Sequence, residues 1–84
     1  MSIPTSENPR AIFARNVARA REARGMTQEA LGWAAGLHQT EIARVERGTR
    51  NPGLETIAKI ARGLGVPAAS LLDGINEGAG APKR

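Results

Sequence analysis

The sequence contains no cysteine and no tyrosine, and tryptophan, phenylalanine and histidine occur once each. Without cysteine the chain forms no disulfide, no thiolate nucleophile and no cysteine-ligated zinc site. A single histidine offers no cluster of metal ligands, and the sequence shows neither a carboxylate pair on one helix face nor a phosphate-binding glycine loop. We therefore expect no metal, no cofactor, no small-molecule ligand and no enzymatic activity.

Long apolar runs are also missing. No segment approaches the ~20 apolar residues that span a bilayer, and residues 1–8 lack the charged and apolar regions of a secretory signal. The apolar stripe of the first predicted helix, made of Phe13, Val17 and Ala20, is too narrow for a helix that lies on a membrane. We expect a cytoplasmic protein with no membrane partner, and its 84 residues allow one domain with a modest core.

The charge balance is basic. The net charge is +4, from 12 basic and 8 acidic residues, and arginine supplies most of the positive side. Guanidinium groups pair with phosphate oxygens and keep their charge at every physiological pH. The balance fits a nucleic-acid partner, but it fits equally well a solvated surface shaped by arginine-rich codon usage.

Start and stop signals divide the chain into five predicted helices. Asn8 followed by Pro9 is typical of a helix start, and Gly25 is typical of a helix end. The predicted helices cover residues 9–24, 28–35, 38–47, 54–64 and 67–72. The fourth carries an apolar stripe at i, i+3, i+4 spacing: Leu54, Ile57, Ala58, Ile60, Ala61 and Leu64. We expect residues 1–8 to be a flexible arm, residues 9–74 to be the folded domain, and residues 75–84 to be a disordered tail.

The second and third predicted helices are joined by a tight turn at Gly36, where a residue without Cβ adopts a positive φ at little cost. Behind the turn runs an apolar ladder: Leu31, Ala35, Leu37, Ile42 and Val45. The third helix begins with the short polar residues Gln39 and Thr40. Such a pair of helices is the geometry by which a small helical domain places one helix in the major groove of DNA.

A longer pattern surrounds this pair of helices. Its pieces are Arg21, Thr27, Gln28, Leu31, Gly36, Ile42, Glu46, Arg47, Gly48, Arg50, Asn51, Pro52, Ile60, Ala61, Leu64, Gly65 and Val66. In this order and spacing, residues 13–72 resemble the phage-repressor/Cro-type, or Xre-type, helix-turn-helix family. The resemblance implies an all-α, five-helix, lambda-repressor-like DNA-binding domain. It also implies a sequence-specific transcriptional regulator, of repressor or controller type, that binds double-stranded DNA. Gly32 departs from the alanine that the family usually has there.

The resemblance implies base contacts from the third helix: Gln39, Thr40, Ala43 and Arg44. The Gln39 amide can bond adenine N6 and N7 together, and the methyl groups of Thr40 and Ala43 can contact a thymine methyl. Arg44 lies on the same face as Thr40 and would bind either guanine or a phosphate. Outside this family pattern, Gln39 and Thr40 would be ordinary polar residues of a helix start.

A second set is expected to contact DNA phosphates: Gln28, His38, Arg47, Thr49 and Arg50. Gln28 opens the second helix, whose N–H groups favour an anion. Arg47, Thr49 and Arg50 belong to a loop that crosses the DNA backbone in the family, although such loop charges are also often only solvated. His38 would alternatively cap the third helix. Glu41 favours the helix dipole or accepts from cytosine N4.

The remaining expectations concern the scaffold and its partners. Arg21 and Glu46 resemble the internal ion pair of the family. Leu71, Leu72 and Ile75 are expected to form the interface of a homodimer on a pseudo-palindromic operator. Trp33 packs on the first helix, contacts the DNA backbone or binds a partner protein. The alternative function is a protein-binding adaptor or antitoxin-type module that docks through Trp33 and the C-terminal tail.

Overall fold

The computed structural model describes residues 8–78, which form helices and no strand. In chain order the helices are α1 (Pro9–Ala23), α2 (Gln28–Ala35), α3 (Gln39–Glu46), α4 (Leu54–Leu64), α5 (Ala68–Leu71) and α6 (Ile75–Gly78). The first five are the predicted helices, each with bounds that differ by at most one residue. The predicted arm, apart from Asn8, lies outside the described residues, and so do residues 79–84 of the predicted tail.

The expectation that the tail begins at residue 75 was wrong, because residues 75–78 form α6, which packs against α1. Ile75 is half-buried and shares a groove with Phe13 of α1. This contact is tertiary, and a helix of a single turn leaves no periodicity from which it could be read. The domain therefore extends one helical turn further than the sequence indicated.

Side-chain caps explain where the first two helices begin. The Asn8 Oδ1 atom accepts from the Ala11 N–H at 2.9 Å, and Pro9 occupies the first helical position. The Thr27 Oγ1 atom accepts from the Ala30 N–H at 2.9 Å. Each cap satisfies one N–H that has no partner within its own helix.

The core lies where α1, α2, α3 and α4 meet and is closed at one end by α5. Its buried members come from every one of these helices: Phe13, Val17, Leu31, Ala35, Ile42, Val45, Ile60, Ala61, Leu64 and Leu71. Ala20, Met26, Leu37 and Ile57 pack against it while partly exposed. The predicted stripe of α4 is wrong at two positions, since the Leu54 side chain is 83% exposed and Ala58 is exposed as well.

Two glycines allow backbones to come into contact. A Cβ built on Gly63 of α4 would lie 2.9 Å from the Ala35 nitrogen, and one on Gly32 of α2 would lie 2.7 Å from the Leu37 carbonyl oxygen. Real Cβ contacts are essentially never this short. Gly63 therefore lets α4 pack directly on the end of α2, and Gly32 lets the turn fold back onto α2.

An apolar groove lies open on the surface, between the start of α1, the start of α4 and the C-terminal helices. It measures about 90 Å³. Its lining is Pro9, Arg10, Phe13, Asn51, Pro52, Ile57, Leu72 and Ile75. We call it the apolar groove.

Candidate DNA-binding surface

The turn between α2 and α3 determines which side of α3 faces outward. Gly36 has φ +73° and so takes the left-handed conformation that ends α2. In α3, which follows, Ile42 and Val45 are fully buried on the side that faces the core. Gln39, Thr40 and Arg44 are exposed on its outer side, and Ala43 is partly exposed. The front of α3 is thus polar and accessible, on a rigid apolar base.

Arg21 of α1 and Glu46 of α3 form the expected ion pair in bidentate geometry. Arg21 Nε donates to Glu46 Oε2 at 2.7 Å, and its Nη2 donates to Oε1 at 3.0 Å. A third hydrogen bond, from Arg21 Nη1 to the Met26 carbonyl, measures 2.7 Å. The hydrogen bond to Glu46 raises the pKa of the Arg21 guanidinium, against the opposing effect of burial. The pair fixes the end of α3 relative to α1.

Gln28, at the start of α2, joins this network. Its Nε2 donates to Glu46 Oε1 at 3.0 Å. The side chain was expected to contact a phosphate, and this bond occupies one of its two N–H hydrogens. The other N–H, together with the backbone N–H groups of the first turn of α2, remains suited to an anion.

His38 is the N-cap of α3, one of the two roles that the sequence left open for it. Its Nδ1 accepts from the Thr40 backbone N–H at 3.0 Å and lies 2.7 Å from Thr40 Oγ1. Since Nδ1 accepts, the ring hydrogen of the neutral imidazole is on Nε2. The side chain is exposed and therefore presents one N–H donor to solvent.

The loop after α3 is bound to α3 itself. Arg50 Nη2 lies 3.2 Å from Glu41 Oε2, so the acid in the first turn of α3 holds the loop arginine close to the front of the helix. Thr49 donates its hydroxyl to the Arg44 carbonyl at 3.2 Å and its N–H to the same oxygen at 3.4 Å. Both hydrogens that Thr49 would offer to a phosphate are thus used within the chain. Arg47 is exposed.

Comparison with known proteins places this geometry in a family. The family model described as helix-turn-helix matches residues 17–71. The chain belongs to the helix-turn-helix family. It is 42% identical over 69 residues, 81% of this chain and 85% of the relative, to the control protein C.BamHI of Bacillus amyloliquefaciens.

Two solved structures share the helix-turn-helix fold with this chain. The restriction-modification controller protein C.AhdI from Aeromonas hydrophila superposes with a TM-score of 0.72 at 34% identity, over 74% of this chain and 94% of that one. A hypothetical transcription factor from Neisseria superposes with a TM-score of 0.76 at 38% identity, over 86% and 83%. The protein is a sequence-specific DNA-binding transcriptional regulator. This class of proteins is not a class of enzymes.

The helix-turn-helix scaffold brings most of the predicted contact residues to one surface. The residues that lie at α3, at its cap or in the loop after it are His38, Gln39, Thr40, Ala43, Arg44, Arg47, Thr49 and Arg50. Gln28 is connected to the far end of α3 through Glu46. Sequence reasoning missed the Glu41–Arg50 pair and the Gln28–Glu46 bond, because both link residues that are far apart in the periodic pattern.

The predicted dimer residues divide into two groups. Leu71 is only 2% exposed and belongs to the core, so its assignment to a surface was wrong. Leu72 is 39% exposed, and it lines the apolar groove with Ile75. Trp33 is 84% exposed, which excludes packing on α1 and leaves its other two predicted roles.

Residues 8–78 contain neither a membrane-spanning helix nor a cluster of metal ligands. None of the helices in that range has both the length and the apolar character needed to cross a membrane. In the same range, no three histidine, aspartate or glutamate side chains are grouped so that they could hold a metal ion.

Proposed function

We propose that two copies of this regulator dock α3 in successive major grooves of a pseudo-palindromic operator, with half-sites one turn (~34 Å) apart. One observation supports this most directly: the polar front of α3 is exposed while its back is fully buried. A helix held in this way presents the same side chains at a fixed depth and angle. Recognition by hydrogen bonds to base edges needs that fixed placement.

Base contacts come from the outer side of α3. Gln39 is placed at the first helical position, where its amide can bond adenine N6 and N7. Thr40 and the partly exposed Ala43 present methyl groups as well. Arg44 lies one turn further on, where it would bind guanine or the nearest phosphate.

Phosphate contacts surround these base contacts. The contacts of Gln28 and His38 described above leave two donors for a phosphate: the second amide N–H of Gln28 and the Nε2–H of His38. Arg47 is exposed, and Arg50 would exchange Glu41 for a phosphate or contact both. We leave Thr49 out of this set, because its hydrogens are already donated to Arg44.

The homodimer is proposed to form at the apolar groove. Leu54 is 83% exposed and lies only two residues after Pro52 and three before Ile57, both of which line the groove. A protruding leucine beside an apolar recess is self-complementary about a two-fold axis, because each copy then fills the recess of the other. Leu72 and Ile75 would be covered in the same contact.

The regulated genes are proposed from the relatives. C.AhdI is a restriction-modification controller protein, and C.BamHI is named a control protein. We extend the controller role to this chain, rather than that of a phage repressor or an antitoxin. The chain would then bind a promoter region and set the expression of a restriction-modification system.

Selection of bound DNA from a random pool tests the docking proposal. We expect an enriched motif with two-fold symmetry and half-sites about one helical turn apart. Gln39→Ala should abolish preference at one base position per half-site, whereas Arg19→Ala on the exposed side of α1 should leave the motif unchanged. Enrichment of no motif would overturn the proposal.

The salt dependence of binding distinguishes the adaptor alternative, for which the exposed Trp33 is the supporting observation. Each phosphate neutralised adds about 0.9 to the slope of log K against log salt, so Arg47→Ala in both copies should lower the slope by about 2. An adaptor that only binds proteins would show neither a steep slope nor a change on Arg47→Ala.

A further inference from the structure

The cap of α3 differs from the side-chain caps of α1 and α2. Asn8 and Thr27 each accept one backbone N–H, three residues further on. His38 accepts the N–H of Thr40, two residues further on, and also contacts the Thr40 hydroxyl at 2.7 Å. The cap therefore involves a side chain that faces the proposed DNA site.

The direction of the hydroxyl hydrogen bond follows from the first one. A backbone N–H can only donate, so His38 Nδ1 is an acceptor and carries no hydrogen. At 2.7 Å from an unprotonated nitrogen the Thr40 hydroxyl must donate too, so the backbone N–H and the hydroxyl share the one lone pair of Nδ1. A threonine hydroxyl has one hydrogen and two lone pairs, so the Thr40 oxygen is left with acceptor capacity only.

This limits what Thr40 can recognise. In the major groove the hydrogen-bond donors are adenine N6 and cytosine N4, while purine N7, guanine O6 and thymine O4 are acceptors. An oxygen that can only accept binds the two amino groups and gains nothing from the acceptors. The ordinary threonine hydroxyl, which is free to rotate, would bind either kind.

We propose that His38 is a positioning residue that makes Thr40 specific for a base with an exocyclic amino group, adenine or cytosine. The proposal rests on the docking of α3 proposed above, and it deepens that docking by assigning the polarity of one contact. His38 acts through Thr40, and its own Nε2–H remains available to a phosphate.

The first experiment identifies the base and its chemistry. Selection with wild-type protein and with Thr40→Val locates the base pair whose preference depends on the hydroxyl. At that position, adenine is replaced by purine, which lacks only the 6-amino group (cytosine by its analogue without the 4-amino group). We expect wild-type binding to fall about 5-fold, the size of one neutral hydrogen bond, and Thr40→Val binding to fall no further. Removing the N7 acceptor of adenine instead should change nothing.

The second experiment tests His38 through the ratio of affinities for the natural and the amino-lacking operator. His38→Ala frees the hydroxyl to donate, so the ratio should fall from about 5 towards 1. His38→Asn keeps a cap, but an asparagine cap such as Asn8 accepts from the residue three positions further on, so the Thr40 hydroxyl is freed here too and the ratio should also fall, with the fold still capped. A lost cap that only destabilised the fold would weaken both operators equally and leave the ratio unchanged. Thr56→Val in α4 is the matched control for the loss of a threonine hydroxyl.

The outcomes separate this inference from the docking proposal. Absence of any selected motif with wild-type protein would overturn the docking proposal and the inference together. A selected motif whose amino-lacking operator binds the wild-type protein equally well would overturn the inference alone. If His38→Ala leaves the ratio unchanged, His38 does not position the Thr40 hydroxyl.

Discussion

Between α2 and α4, backbone meets backbone, whereas α5 and α6 are attached to α1 largely through side chains. At Gly63 there is no room even for a methyl group against the end of α2. At the other end, Leu71 enters the core, and Asn16 Nδ2 donates to the carbonyls of Leu71 and Asp73 at 2.8 and 3.0 Å. Leu72 remains 39% exposed beside the apolar groove.

The difference matches the tasks proposed for the two regions. A helix that recognises base edges must keep its position, and contacts between backbones cannot adjust as side-chain contacts can. The C-terminal region instead leaves apolar surface open, which a second copy would cover. Four variants test this contrast, and their expected effects on folding decrease from Glu46 to Leu54.

Removal of the Glu46 side chain should have the largest effect. Glu46→Ala leaves the guanidinium of Arg21, only 14% exposed, with the largely exposed Glu22 carboxylate at 3.7 Å as its remaining ionic partner, and such a loss costs about 3 kcal/mol in the free energy of unfolding. Urea denaturation measures it, with the exposed Glu29→Ala as control. Replacing both partners by methionine should restore part of the stability, because no unpaired charge then remains. A double variant as unstable as the single one would show that the ion pair is not the cause.

Gly63→Ala tests the backbone contact directly. At an open helical position, alanine stabilises relative to glycine by up to about 1 kcal/mol. Here the new Cβ would lie 2.9 Å from the Ala35 nitrogen, so we expect a loss of about 2 kcal/mol instead. The sign of the change in the free energy of unfolding, measured by thermal or urea unfolding, distinguishes the two cases. Arg62→Ala in the same helix serves as control. A stabilised Gly63→Ala protein would mean that α2 and α4 have room to separate.

Asn16→Ala should loosen the C-terminal region selectively. The variant loses the hydrogen bonds to Leu71 at the end of α5 and to Asp73 in the turn that follows, at a cost of about 1.5 kcal/mol. Native-state hydrogen exchange should become faster at the Leu72 and Ile75 amides, with smaller changes in α2 and α3. Arg19→Ala on the exposed side of α1 is the control. Equal acceleration throughout the domain would show that the two regions open as one unit.

Leu54→Ser should have the smallest effect on folding and a clear effect on association. The side chain is 83% exposed, so the free energy of unfolding of the monomer should change by less than about 0.5 kcal/mol. Sedimentation should show a shift from dimer to monomer. Trp33→Ser, at an equally exposed residue outside the apolar groove, should leave the dimer intact. If Trp33→Ser dissociates the dimer and Leu54→Ser does not, the interface lies on α2.

Much of the site could be predicted, because it depends on local order in the chain. The turn at Gly36 and the outward position of Gln39 and Thr40 follow from which residues of α3 are apolar. The Arg21–Glu46 pair came from resemblance. The Glu41–Arg50 and Gln28–Glu46 contacts were missed, since no rule of helical periodicity connects these positions.

The sequence by itself determined the helices, their order and the polar front of α3, because caps, glycines and apolar spacing act within a few residues. Only the tertiary structure decided that Leu71 is buried while Leu54 is exposed, although both are leucines at the end of a helix. It also decided that α4 packs at Gly63 against the backbone at the end of α2, and that residues 75–78 add a helical turn. These outcomes depend on how close two distant segments come, and the apolar pattern of one segment carries no information on that distance.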